Sequence, residues 1–268
     1  MGPGWKRFRV LAAAAVLAAC VGPVEPFRAL SPASAPFVGS PAPTLEVLTY
    51  NIKALPWPLA GDRDGAIREL AEQLAAMRAS GRQPQVVVLQ EAFTGAAADI
   101  AARAGYAHFA HGPAAGDARP PAAPLGAGYA AAARWSRGER LAPVLGSGLI
   151  VLSDHPIVRT ERWAFPRGAC AGFDCLAAKG VLVAWIALPG WPRPLAVATT
   201  HLNARRAAGV DTARADAAFA WQWAAVRRFL AERLAPHEAA ILAGDVNIGG
   251  AFARAAAARR SGPALPAG

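Results

Sequence analysis

The chain has 268 residues, enough for one large domain or two small ones with a core of its own, and no shift in composition marks a second domain. Its formal net charge is +10, yet 25 of the 28 basic residues are arginines scattered through an Ala-, Gly- and Pro-rich sequence. No dense Lys/Arg block with interleaved aromatics is present, so charge alone does not specify a nucleic-acid groove.

The amino terminus reads as an export signal. Lys6, Arg7 and Arg9 precede an apolar segment from Val10 to Ala19 that is too short to span a bilayer, which assigns residues 1–19 to a signal peptide. Leu17-Ala18-Ala19-Cys20 resembles the lipobox of bacterial lipoproteins. That resemblance implies cleavage before Cys20, lipidation of its thiol, and attachment to a membrane surface of the bacterial cell envelope. Ordinary cleavage nearby, with Cys20 incidental and a secreted or periplasmic product, is the alternative. Residues 20–44 are rich in Pro, Ala and Ser without periodicity and read as a tether, leaving 45–268 as the folded domain.

The first predicted strand, Leu45 to Tyr50, delivers Asn51 at its end. Asp62 to Ala79 follows as a helix, with Ile67, Leu70, Leu74 and Met77 at helical spacing. The next strand, Val86 to Gln90, delivers Glu91. A strand, helix, strand order brings Asn51 and Glu91 to one edge if the strands run parallel. Residues 94–127 lack a pattern, and the Gly/Pro cluster from Gly112 to Gly128 predicts a long surface loop. His108 and His111 nearby read as packed or solvent-exposed histidines.

Strands are predicted at Tyr129 to Arg134 and at Gly148 to Ser153, and Ser153-Asp154-His155 before Pro156 reads as a turn. Residues 161–188 suggest a strand, a Gly/Cys loop and a second strand. Cys170 and Cys175 in that loop form an even pair in an exported chain, which favours a disulfide over two free thiols or a metal site. Trp191 tips the connection Pro189 to Pro194, either at a membrane interface or folded onto its hairpin. A strand from Leu195 to Thr200 then delivers His201. Asp211 to Leu234 is an amphipathic helix whose Phe219, Trp223, Val226 and Leu230 are core candidates. A last apolar run, Ala239 to Ala243, ends in Gly244-Asp245-Val246-Asn247.

If the four runs pack side by side, one rim of the core gathers Asn51, Glu91, His201, Asp245 and Asn247. Carboxylate and carboxamide oxygens suit a hard cation such as Mg2+, which keeps several waters and takes one or two carboxylates. A neutral imidazole adds a hydrogen-bond donor or proton carrier.

Thr49-Tyr50-Asn51-Ile52, Leu89-Gln90-Glu91, Thr200-His201-Leu202 and Gly244-Asp245-Val246-Asn247 occur in the order and spacing of the endonuclease/exonuclease/phosphatase superfamily, which the chain resembles over about residues 45–250. Gly148 to Ser153, ahead of Pro156-Ile157, is similar to that family's central strand. The resemblance implies an α+β fold, the four-layer α/β/β/α sandwich of the deoxyribonuclease I-like type, and hydrolysis of a phosphodiester with Mg2+ or another divalent cation. It further implies that Glu91 is the principal metal ligand with Asn51 beside it, that His201 and Asn247 hold phosphate oxygens, and that Asp245 orients or binds the water.

Phe173 to Gly180 resembles the Lys-Gly segment of bacterial neutral sphingomyelinases, which implies that Lys179 pairs with a lipid phosphate; a lysine at the start of an exposed strand is the alternative. A phospholipid substrate is therefore favoured. A secreted nuclease of the same fold, and a non-catalytic lipoprotein module that binds phosphate headgroups, are the competing readings. The family also carries a carboxyl-terminal Asp-His pair as general base, and this sequence has no histidine after His237. The expectation is a domain without its last strands and with impaired turnover, through truncation or degeneration.

Overall fold

Two pairs of parallel strands, each joined by a helical crossover, organise the structure. The computed structural model describes residues 44–260 apart from 56–60, 62, 118, 120–124 and 250, together with the backbone but not the side chains of residues 252 and 260. The signal peptide, Cys20 and nearly all of the tether lie outside the described residues, as do residues 261–268. No described helix is long and apolar enough to cross a membrane.

The first sheet contains β1 (Val47–Ala54), β2 (Val86–Ala92), β3 (His108–His111) and β4 (Ile150–Ser153), in the spatial order β1-β2-β4-β3. β1 and β2 run parallel, and the other two pairings are antiparallel. The second contains β5 (Ile157–Ala164), β6 (Gly180–Ile186), β7 (Leu195–His201) and β8 (Ala240–Asp245) in sequential order. Here β7 and β8 form the parallel pair. A parallel pair needs a crossover, supplied by α1 (Asp64–Ala79) in the first case and by a 22-residue helix, Thr212–Arg233, in the second. The long helix starts where expected because the Asp211 side chain accepts from the Arg214 N–H at 2.8 Å, satisfying one orphan donor of the first turn.

Strand alternation builds the layers. Val87 and Leu89 face α1 together with Ile150 and Leu152, and pack on Ile67, Leu70 and Leu74. Val86, Val88 and Val151 point the other way, against Leu182, Ala184, Ile186 and Val197 of the second sheet. The outer face of that sheet, with Val181, Val183 and Trp185, packs on Phe219, Val226, Phe229 and Leu230 of the long helix. The order is helix, sheet, sheet, helix. The inner strands β2, β4, β6 and β7 are covered on both faces and read as apolar runs, whereas the edge strands β3 and β5 carry exposed polar residues.

Three parts differ from the sequence reading. Gly126–Ala131, within and before the segment read as a strand from Tyr129, is a short helix. Alanine favours helix, and Tyr129 is anchored laterally instead of in a sheet: its hydroxyl lies 2.9 Å from the Cys170 carbonyl, and the Arg214 guanidinium sits 3.8 Å over its ring. Residues 94–127 hold α2 (Gly95–Ala98), α3 (Ile100–Ala104) and β3; the Gly126–Ala131 helix is α4 and the Thr212–Arg233 helix α5. Ile100, Ala101, Ala104 and Tyr106 are buried against α1 and the first sheet, a contribution that spacing over two short helices does not reveal. Residues after Asn247 form α6 (Phe252–Arg260).

Other local readings agree with the structure. Asp154 lies in a turn and pairs with Arg78 at 2.5 Å. Cys170 and Cys175 form a disulfide, with Cα atoms 5.3 Å apart.

Candidate active site

Both parallel pairs end at the same rim. In the first sheet Asn51 pairs in register with Gln90, so Glu91 stands one residue beyond it. In the second, His201 pairs with Asp245. Parallel register thus presents four polar side chains from the carboxyl-terminal halves of four strands. The Asn51 carboxamide joins the sheets: Nδ2 donates to Glu91 Oε1 at 2.7 Å and to Asp245 Oδ2 at 3.0 Å. His201 Nε2 faces those same two oxygens, at 3.9 Å from each.

Backbone strain concentrates here. Among the described non-glycine residues, positive φ occurs at Lys53 (49°), Glu91 (55°) and Asn247 (52°). Asparagine tolerates the left-handed region, but glutamate adopts it at a cost of roughly 1–2 kcal/mol. Such strain persists only where surrounding structure fixes it, and at Glu91 it aims the carboxylate at Asn51. Close approach matters at Gly244, where a Cβ would lie 2.3 Å from the Thr200 carbonyl oxygen of β7. Glycine there lets β8 lie beside β7 and brings Asp245 level with His201.

His201 is buried. Burial pushes its pKa well below the ordinary histidine value, and the Lys179 charge pushes in the same direction. The ring is therefore neutral near pH 7. Its Nδ1 is buried without a hydrogen-bond partner. Since an orphaned acceptor is easier to tolerate than an orphaned donor, the proton is assigned to Nε2, which faces the carboxylates.

Lys179 and Asn247 converge on one backbone carbonyl beside His201. Lys179 Nζ donates to the Leu202 carbonyl at 2.9 Å and pairs with Asp174 at 3.1 Å. Asn247 Nδ2 donates to that same carbonyl at 2.8 Å, while its N–H donates to Asp245 Oδ1 at 2.9 Å. Both side chains are thus committed to shaping the loop after His201 and the turn after Asp245. Two residues missed in the sequence support them. Gln222, on α5, accepts from Asn203 N–H at 2.7 Å and donates to the Ala169 carbonyl at 2.7 Å. Arg254, on α6, donates to the carbonyls of Asn203 and Asn247 at 2.7 and 2.9 Å. Neither carries a motif; each is one polar residue on a helix whose far end fixes its depth.

Among the described residues, no group of three or more His, Cys, Asp or Glu side chains is arranged to hold a metal ion. The convergent set is instead two carboxylates bridged by a carboxamide. Two carboxylates drawn to one point repel, and an oxygen-rich site of this kind fits a hard cation that retains part of its water shell. Glu91 is the candidate ligand, and Asn51 would join it only through Oδ1, which here accepts from the Lys53 N–H at 3.0 Å while Nδ2 faces the carboxylates.

Solved structures with a similar fold include a beta toxin from Staphylococcus aureus (16% identity, TM-score 0.62, covering 81% of this chain and 71% of that one). A beta toxin variant from the same organism with bound magnesium ions shows 17% identity and a TM-score of 0.58, over 81% of this chain and 69% of that one. Sphingomyelinase C from Streptomyces griseocarneus shows 26% identity and a TM-score of 0.60, over 83% of this chain and 72% of that one. No curated protein sequence matches. Residues 48–265 match the model of the Endonuclease/Exonuclease/phosphatase family, and with that match spanning most of its length the chain belongs to this family.

Proposed function

We propose that this chain is a divalent-cation-dependent phosphodiesterase acting on a sphingomyelin-type phospholipid, exported and held at the bacterial cell envelope through lipidated Cys20. Membership of the family supports a hydrolase of phosphodiester bonds. The observation that carries the reading is the Asn51 carboxamide shared between Glu91 and Asp245, with the His201 Nε2 facing the same oxygens. The 26% identity to a sphingomyelinase C and the Phe173 to Gly180 segment favour the lipid.

Glu91, with Asn51 through its amide oxygen, would hold the cation, Mg2+ or a similar hard ion, which when bound would supply Lewis-acid relief of phosphoryl charge. His201, kept neutral by burial and by Lys179, donates its Nε2–H to a phosphoryl oxygen as negative charge develops there. Asp245 accepts a hydrogen bond from the attacking water and orients it. Lys179 and Asn247 act one step back, through the Leu202 carbonyl that both grip.

The test is turnover with Mg2+ on sphingomyelin vesicles and on DNA. Phosphocholine release without DNA cleavage, reduced at least a hundredfold by Glu91→Ala, supports the reading. Cleavage of DNA alone replaces it with a nuclease, and headgroup binding with no turnover of either substrate replaces it with a non-catalytic module.

A further inference from the structure

A second polar site adjoins the disulfide loop and is not lined by Asn51, Glu91, His201 or Asp245. It is a cleft of about 70 Å³ whose lining includes Arg119, Arg140, Arg167, Lys179 and Glu139. Its balance of charge is positive, because the acidic member is already fully engaged. Glu139 Oε1 accepts from Arg214 Nε at 2.6 Å and from Gly172 N–H at 3.0 Å, and its Oε2 accepts from Arg134 N–H at 2.7 Å. Lys179 is likewise committed, to Asp174 and Leu202.

The arginines are not satisfied in the same way. Arg119 Nη2 is buried with no hydrogen-bond partner. The nearby carboxylate Asp117 is drawn off into an ion pair with Arg162 at 2.9 Å. Burial, and next the like charge of Arg167, push the Arg119 guanidinium below its ordinary value against the weaker opposing pull of Asp117. Arg140 gives Nε and Nη2 to the carbonyls of Ala133 and Ala131, which fixes its guanidinium at the cleft. A buried donor without an acceptor is costly, and the exposed Arg167 adds a like charge to Arg119 that Asp117, paired with Arg162, offsets only in part. One oxyanion between Arg119 and Arg167 would relieve both. The cleft has room for several waters, hence for one tetrahedral anion, and planar guanidinium forks suit its oxygens.

We propose that this cleft binds a tetrahedral oxyanion, a phosphate or phosphoryl group, through Arg119 and Arg167 with Arg140 as a fixed third donor. It is a site separate from the one at which hydrolysis is proposed, and it stands whether or not that reading does. The anion is either free phosphate or the phosphate of an acidic phospholipid. The second source fits the apolar rim, where Leu141 lines the cleft and Val144 and Trp135 stand 67% and 69% exposed on the same segment.

The experiment is calorimetric titration of the full chain with inorganic phosphate in EDTA, which keeps a cation at Glu91 from contributing. Saturable binding is expected, weakened at least tenfold in Arg119→Gln/Arg167→Gln and retained in a charge-matched control, Arg68→Gln/Arg228→Gln. Without phosphate the double variant should melt at or above the wild-type temperature, since a half-buried guanidinium with an unpaired Nη2 and an exposed like charge beside it have been removed. Co-sedimentation with phosphatidylcholine vesicles, with and without phosphatidic acid, then identifies the source. Preference for the acidic vesicles that disappears in the double variant means a lipid phosphate; preference unchanged by the variant means free phosphate. Absence of phosphate binding by the wild type, equal binding by the double variant, or a drop in its basal melting temperature overturns the proposal.

Discussion

Arg254→Met is the most searching single test of how the rim is held. The side chain is 1% exposed and makes three charge-assisted contacts: Nε to Asp216 at 2.6 Å, and Nη1 to the carbonyls of Asn203 and Asn247. It also lies 4.5 Å over the Phe219 ring. Methionine keeps most of the stem and its packing but leaves both carbonyls without that donor. Removing one partner of a buried pair costs about 3–5 kcal/mol. The lower end applies here, because Asp216 is 23% exposed on its side chain and retains Arg205 at 3.5 Å. With about 2–4 °C per kcal/mol for a domain of this size, a loss of about 3 kcal/mol lowers the melting temperature by roughly 6–12 °C. Since Asn203 follows His201 and Asn247 follows Asp245, the loss should also reach the site. Thermal melts with and without Mg2+ read both effects, and Arg254→Lys should be intermediate. A melting temperature within about 2 °C of wild type refutes the energetic argument. A large drop with unchanged Mg2+-induced stabilisation refutes the coupling to the site.

Three other outcomes follow from named contacts. Burial pushes the Glu139 carboxyl up, but Arg214 and the N–H groups of Gly172 and Arg134 outweigh it and hold the pKa below the ordinary 4.5. The unfolded chain then binds the extra proton, so this stability is present above about pH 4.5 and lost as pH falls through the lower folded value; acid melts of Glu139→Gln should show a shallower loss over that window. Reduction or Cys175→Ser opens a loop with a sequence separation of 5, which loop-closure entropy values at about 2 kcal/mol; denaturant midpoints measure it, and no change means the surrounding loop is held by its hydrogen bonds alone. Gly244→Ala places a methyl against the Thr200 carbonyl, a clash costing about 1–3 kcal/mol, and if the proposed cation binds, the variant should weaken its stabilising effect more than a matched destabilising change in α1.

The residues of the rim were legible because each closes an apolar run, and a run of four to seven such residues is a strand whichever sheet it joins. Asn51, Glu91, His201 and Asp245 needed only the inference that the runs pair in parallel. The Gly126–Ala131 helix was not legible, because Tyr129 among alanines gives no period and its position depends on Arg214, 85 residues away. Nor was the commitment of Lys179 and Asn247. A lysine before glycine and an asparagine after aspartate look like substrate donors in a sequence, and nothing there shows that both also donate to the Leu202 carbonyl.

The Leu202 carbonyl gives these two residues a part in positioning the site. It receives Lys179 from the β6 side and Asn247 from the β8 side, and it follows His201 directly in the chain. Its position therefore sets where the imidazole ends and where the turn after Asp245 begins. Burial is the larger cause of the lowered His201 pKa, and the same lysine adds a positive charge that pushes the same way, so one side chain bears on both the loop geometry and the proton state of the ring. Replacing Lys179 with methionine would remove both at once, whereas Asn247→Ala would loosen only the turn. If the proposed phosphodiesterase activity is present, the lysine variant should alter the pH profile of turnover and the asparagine variant should lower turnover without moving the profile. Identical profiles for the two variants would mean that the lysine acts through the carbonyl alone.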